Sequence, residues 1–598
     1  MQDTDLPPGM ADTICHNSGP WLQKKSYFSS MKKLLVGLTC LLAFSCTPKK
    51  PVDTIFYGGP IYTANQSQPV VEAVGVSGDS IVFAGSLKDA EKLVGEKTQR
   101  VDLKGKTMTP GFIESHGHFM GLGQSKQILD LMNIKSYDEM VEMVRQAVAK
   151  AKPGQWILGR GWHQDKWTSK PAKMIKGFQT HELLSAVSPN NPVFLSHASG
   201  HAGFANARAM QIAGVNLLSP EALQQDMKEG GEIIRDALGN PTGIFNERAQ
   251  QLVTRYIQTN SEEMDKEAIE LAMTACLENG ITSFHDAGAG RKNVALFESY
   301  AAQGKLKTRL YVMLTGFDPA LVYERFARGP QIDPAHWLTI RSVKLNCDGA
   351  LGSRGAWLLE PYTDRPDFYG MATLSMDTVL SVSRAALKAG FQVCSHAIGD
   401  RANREILDRY EQAFNDNPEA SRNARFRIEH AQHIDPSDIP RFGKLGVIAA
   451  MQAIHLSSDR PWAIDRLGEK RIREGAYMWQ SLLKTGAHVT NGTDVPVEPV
   501  DPIASFFASV TRQTLAGQPV GGYEPAEKMT REQALHSYTL DAAYGEFEEG
   551  AKGSIEPGKL ADFTIFSQDI MKVPDEDLLK TRVEMTVVGG KILYTRKQ

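Results

Sequence analysis

Two histidines separated by one glycine, His116-Gly117-His118, close an apolar run that begins at Gly111. In a β-strand, side chains two residues apart point to the same side, so both imidazoles can reach one ion. Alone, a His-x-His pair is a weak signal. It gains weight because four further ligand-type residues end short apolar runs: Lys344 in Val343-Lys344-Leu345, His396 in Cys394-Ser395-His396, His430 in Glu429-His430-Ala431 and Asp494 in Gly492-Thr493-Asp494. Burying several imidazoles and a carboxylate without partners costs on the order of several kcal/mol, and a shared metal removes that cost. Imidazole and carboxylate donors suit zinc, with iron or manganese as alternatives.

Such residues, hundreds of positions apart, meet only if their runs are strands of one closed sheet. Eight short β-like runs, each followed by a helical stretch, occur at 111–118, 281–286, 308–314, 342–347, 391–396, 426–430, 446–451 and 488–494. Eight βα units in series predict an α/β protein built on a (β/α)8 TIM-like barrel, whose strand C-termini converge on one face. A large insertion, about 119–275, follows the first strand and is expected over that face. The barrel is expected over 109–545. Residues 52–108 and 546–598 are rich in short strands and turn signals such as Gly78-Asp79. Neither end has enough strands to be stable alone, so both are expected to form one small β-sandwich.

The residues also carry a resemblance. The stretches Thr109–His118, Phe284-His285-Asp286-Ala287-Gly288, Val343–Leu351, His396–Ala402, Arg427–Gln432, Thr493–Val497 and Gly553–Phe563 resemble the amidohydrolase superfamily, in particular the branch that includes N-substituted formamide deformylase. The likeness spans nearly everything after Val52. It implies one metal on His116, His118 and Asp494 and a second on His396 and His430, with Lys344 bridging them if its amine is carboxylated by CO₂. An unmodified lysine, hydrogen-bonding the substrate beside a single metal, is the alternative. The resemblance also implies that Asp494 is catalytic, taking a proton from water and returning it to a leaving amine. Three weaker substrate-binding candidates accompany this set: His201 in the insertion, Arg354 on the loop after Lys344, for which a surface salt bridge is the alternative, and His285, for which a structural role is equally open. His181-Glu182-Leu183-Leu184-Ser185 lacks the second histidine of a zincin motif, and Gly121-Leu122-Gly123 lacks the context of a phosphate loop.

Composition narrows the function classes. The 598 residues are 42% hydrophobic and 23% charged, with 52 glycines, 30 prolines and a net charge of −3. These values exclude disorder, collagen and a polytopic membrane protein, and give no electrostatic case for nucleic acid. Residues 1–46 read as an upstream extension and an export signal: Met31-Lys32-Lys33 precedes an apolar run to Phe44 that is too short to span a bilayer. Ala43-Phe44-Ser45-Cys46 resembles a bacterial lipoprotein cleavage box, which implies a membrane anchor through a lipid on Cys46 and a location in a bacterial cell envelope. Cys276, Cys347 and Cys394 lie in apolar runs and are expected as reduced core residues. The leading expectation is a hydrolase of a non-peptide C–N bond in a small amide, using one or two zinc ions. A mononuclear deaminase of a heterocycle and an inactive ligand-binding lipoprotein are the competitors, and the oligomeric state stays open.

Overall fold

The computed structural model describes residues 50–597 except 133, 165–166, 198–201, 216–230, 258–260 and 353. Its centre is a parallel sheet whose strands follow one another in chain order. They are β1 (Phe112–Gly117), β2 (Ile281–Ala289), β3 (Arg309–Thr315), β4 (Leu338–Asn346), β5 (Gln392–Ala397), β6 (Arg427–His430), β7 (Ile448–Met451) and β8 (Val489–Asn491). All eight coincide with the runs expected from sequence. A short strand, Gln331–Ile332, adds an antiparallel edge to β4. Apolar side chains such as Val312, Val343, Val393 and Ile428 are fully buried, as strands covered on both faces require.

The seam between β8 and β1 is closed by irregular backbone rather than by a strand ladder. Asp494 N donates to His116 O (2.8 Å), and His118 N donates to Val495 O (2.8 Å). Between them the Glu114 carboxylate takes the place of a strand, accepting from Thr493 N (2.6 Å) and Thr493 Oγ1 (3.1 Å). A side chain at Gly492 would put its Cβ 2.3 Å from Glu114 Oε1 and 2.7 Å from His116 N, so only glycine lets the two chains approach. The closure delivers Asp494 to His116.

The chain between β1 and β2 builds a layer of its own. Six strands lie in the order Gly231–Arg235, Pro241–Glu247, Ala202–Ala205, Val193–His197, Ile157–Trp162 and Leu129–Asp130. Leu131, Met140, Trp162, Leu195, Phe204 and Ile244 form its core. The two chain ends pair in one eight-stranded sheet, where Thr107–Pro110 runs antiparallel to Phe563–Phe566. No helix among the described residues is long and apolar enough to cross a membrane. Cys46 and the export signal lie outside the described residues.

The other end of the barrel is plugged by the segment after the helix Leu540–Gly545. Lys552 Nζ reaches Ser283 Oγ at 3.1 Å, Thr339 Oγ1 donates to Glu548 Oε1 at 2.9 Å, and Gln392 Nε2 donates to Gly545 O at 2.9 Å. The N-terminal halves of β2, β4 and β5 are therefore tied to one stretch of chain.

Candidate metal centre

Strand β1 ends at the site because its alternation turns Glu114 and His116 inward, both without solvent exposure. His116 Nδ1 is bonded to Glu429 Oε2, two residues beyond Arg427 on β6. Arg427 clasps the same carboxylate through Nε (2.8 Å) and Nη2 (2.9 Å). Burial alone would raise the Glu429 carboxyl; Arg427 first, and then His116, overcome it and hold it down to about 2. An ionised carboxylate only accepts, so His116 donates from Nδ1 and turns Nε2 toward the site; in the neutral ring that nitrogen carries the lone pair. That Nε2 is buried, has no hydrogen-bond partner among the described residues, and faces Asp494 Oδ1 at 3.5 Å.

Asp494 occupies a left-handed backbone position (φ 56°) that an aspartate tolerates better than most residues. Its Oδ1 also lies 3.1 Å from His118 Nε2. Burial would raise this carboxyl, but the imidazoles of His116 and His118 hold it well below the usual carboxylate range. Asp494 is therefore a charged acceptor turned toward Nε2 of His116. With that ring neutral the two are both acceptors, and they repel unless a cation lies between them.

His430 ends β6 with φ 74°, followed by Ala431 at φ 41°. Strained positions of this kind cluster at functional sites. Gln452 Nε2 donates to Ala450 O (3.1 Å), so its Oε1 is the acceptor for His430 Nδ1 at 2.7 Å. His430 thus keeps its lone pair on Nε2 as well. Burial, followed by the fields of His396 and His116, pushes its imidazole well below its ordinary value and keeps it neutral. Its ring centroid lies 4.9 Å from that of His116 and 4.4 Å from that of His396. Donor atoms of His116, His430 and Asp494 all lie within 4.8 Å of one another. Imidazoles held at Nδ1, one charged carboxylate and Nε2 atoms without hydrogen bonds among the described residues fit a divalent ion.

The remaining expected residues fall into two groups. His396 Nε2 is buried without a hydrogen bond among the described residues, 3.2 Å from Asp348 Oδ1. Asp348 itself is held by the backbone N–H groups of Trp357, Ile398 and Gly399. Lys344 is buried on β4, and its charge acts on His430 and on Asp286. Two of the weaker candidates take the alternative role left open for each. His285 lies inside the barrel beneath the metal ligands, accepting from Arg427 Nη1 at 2.9 Å and facing Glu546 Oε1 at 3.5 Å, because the inward alternation of β2 places it opposite β6. Arg354 spends its guanidinium on Asp364 (Nε 3.1 Å, Nη2 2.8 Å), which Arg466 also holds, so it is committed to an ion pair. His201 lies outside the described residues.

Several site residues were not singled out from sequence. Glu429 and Arg427 form an inward i, i+2 charge pair in an otherwise apolar strand, and that alternation was a readable signal. Asp286 lies on β2 three residues before its end and accepts from Phe119 N at 2.8 Å, fixing the chain just after His118; burial raises its carboxyl. Gln452 and His455 follow β7 directly, where a barrel carries its functional loops.

The amidohydrolase family profile matches residues 99–594. The chain is 33% identical over 564 residues to Protein LONG AFTER FAR-RED 3 of Arabidopsis thaliana, covering 92% of this chain and 93% of that protein. It is 27% identical to N-substituted formamide deformylase of Arthrobacter pascens, over 91% of this chain and 98% of that enzyme. The crystal structure of an uncharacterized metal-dependent hydrolase from Pyrococcus furiosus superposes with a TM-score of 0.69 at 30% identity, covering 87% of this chain and all of that one.

Proposed function

The chain belongs to the amidohydrolase family, and from that premise we propose that it hydrolyses a non-peptide C–N bond of a small N-acyl compound. The observation that carries the reading is the pair of buried acceptors, His116 Nε2 and Asp494 Oδ1, facing each other at 3.5 Å. A divalent ion held there, zinc in this reading, would supply Lewis acidity that lowers the pKa of water and polarises a carbonyl. His116, His118 and Asp494 would hold one ion; His396 and His430, with Lys344 if carboxylated, would hold a second.

Asp494 accepts a proton from the attacking water as the water oxygen bonds to the acyl carbon. It then returns that proton to the nitrogen as the C–N bond breaks. Glu429 and Gln452 keep His116 and His430 in the tautomers that present Nε2, so no proton on those rings competes for the site. The likeness to a formamide deformylase over nearly the whole chain supports an amide rather than an ester or a heterocycle.

Protein lacking residues 1–46 is expected to carry one to two equivalents of metal by elemental analysis and to release amine from some member of an N-acyl amine series. No stoichiometric metal after growth with added zinc would refute the reading. The anchor belongs to the same proposal: full-length protein made in a bacterium should incorporate labelled fatty acid, and Cys46→Ser should abolish the label.

A further inference from the structure

The helix that follows β7, Ala453–Gly475, crosses the mouth of the barrel. At its start the ring of His455 lies parallel to that of His430 on β6, with centroids 6.2 Å apart. Two turns further on, Trp462 packs against Gly352, where an added Cβ would stand 3.2 Å from its ring, and Arg466 Nε reaches Gly352 O at 3.4 Å. Gly352 belongs to the loop after β4. The helix therefore reaches from the end of β6 to the loop of β4, and β5, which ends on the His396 segment, lies between those two strands. Residues 455, 459, 462 and 466 fall on one stripe of a helix, at spacings of three and four. Both ends of the stripe are fixed around the metal centre, and Asp459 lies between them.

Asp459 is half-buried and has no counter-charge. Ser458 Oγ donates to its Oδ1 at 3.3 Å, and Gln432, two residues beyond His430, also bonds to it. Burial, against those two hydrogen bonds, lifts its carboxyl to about 6, so it is ionised near neutral pH. No basic side chain among the described residues pairs with it. Its neighbour Arg460 is spent on Glu524 at 2.7 Å. His455, one turn back on the stripe, is buried, and its Nε2 has no hydrogen bond among the described residues. With His430 it lines a slot of about 10 Å³, room for a single water. No substrate group fits there, so a substrate at the metal centre extends along the stripe toward Asp459.

We propose that the substrate of the amide hydrolase described above carries an ammonium group, and that Asp459 binds it from the helix over the mouth. The inference rests on that reading of the site and narrows its substrate class to N-acyl compounds with a cation beyond the scissile bond. Asp459 stands four residues, about 6 Å of helix rise, past His455, so the cation lies a few bonds from the amide. An ammonium ion there supplies the charge that a partly desolvated carboxylate lacks, whereas a neutral group of the same shape displaces water from it and gives nothing back. Asp459 thus selects the substrate and takes no part in breaking the bond.

The test compares two amides of one shape, the mono-N-acetyl derivative of 1,4-diaminobutane and N-acetylpentylamine, which differ by an ammonium against a methyl group. With the zinc-loaded full chain, kcat/KM should be at least about tenfold higher for the cationic amide, with the difference in KM. Asp459→Asn should bring the ratio of the two close to one, and Asp459→Glu should keep part of it. Damage to the helix would slow both amides alike and leave the ratio unchanged. A ratio near one in the wild type, or one that Asp459→Asn leaves intact, would overturn the proposal. A second arm needs no turnover: calorimetric binding of 1,4-diaminobutane to the same protein should weaken at least about tenfold in Asp459→Asn. Binding of the diamine through Asp459 with hydrolysis of neither amide would overturn the amidase reading and leave the cation site standing. Hydrolysis of both amides with equal kcat/KM would do the reverse, and neither binding nor hydrolysis would overturn both.

Discussion

Above Glu429, the barrel interior holds His116 Nε2, His396 Nε2 and Asp494 Oδ1 without hydrogen bonds among the described residues. Below it, Arg427, His285, Glu546, Lys552 and Glu548 are joined end to end. Arg427 binds Glu429 and His285; His285 faces Glu546; Lys552 lies 3.0 Å from Glu546 and 2.9 Å from Glu548. Both regions are buried and both are built from histidines and carboxylates. His285 Nε2, Glu546 Oε1 and Glu548 Oε2 have no hydrogen bond among the described residues either, but the lower column contains its own cations, Arg427 and Lys552. The upper set turns the Asp494 carboxylate toward imidazole nitrogens that lack hydrogen bonds, with Lys344 buried beside them on β4, and in the proposed reading a bound metal completes it. Function resides where the chain leaves its polar atoms uncompensated, and rigidity where it pairs them.

The sharpest way to break this contrast is Asp494→Asn, which keeps the shape and removes the charge and the proton-accepting capacity. Turnover is expected to fall by at least ~10²-fold, with metal partly retained because the histidines remain. Normal turnover per folded molecule at unchanged metal content would remove Asp494 from the chemistry.

Lys552→Met probes the lower column. It leaves Glu546 and Glu548 buried without their cation, and a loss of ~3–5 kcal/mol in unfolding free energy is expected from denaturant titration. The kcat of the folded protein should stay within about twofold. A large fall in kcat without loss of stability would show that the column takes part in chemistry.

Glu429 joins the two regions, so Glu429→Gln should register in both. Metal affinity is expected to drop by about 10- to 100-fold, as for other carboxylates that orient a ligating histidine, read by competition with a chelator. The same residue sets an acid limb. Its carboxyl is lowered from 4.5 to about 2 in the folded chain, so the unfolded chain binds the proton more readily and the stabilisation is present above pH ~4.5 and lost as pH falls toward ~2. Denaturation midpoints of the wild type should fall across that window, and Glu429→Gln should flatten the slope. An unchanged slope would place the acid sensitivity elsewhere.

Much of the site was legible because its ligands sit at the ends of apolar runs. A buried strand that stops on His116-Gly117-His118, on His396, on His430 or beside Asp494 announces an interior polar cluster, and a βα series brings such ends together. For His285 the same logic left a structural role open. It lies near the end of a run, but β2 continues to Ala289, so its side chain falls within the barrel instead of at its mouth. For Arg354 spacing could not choose between substrate and salt bridge, because its partner, Asp364, lies ten residues along an irregular loop.

The sequence by itself determined the eight strands, the insertion after the first and the ligand-type residues at the strand ends, because hydrophobic period and residue chemistry are local properties. Only the tertiary structure decided that Glu114 bridges the seam between the first and last strands, that Arg427 and Glu429 fix the tautomer of His116, and that His455 faces a slot of about 10 Å³ beside His430. Each of these depends on which atoms of distant segments end up within hydrogen-bond reach. Distances of that kind follow from closing the barrel and cannot be read from spacing along the chain.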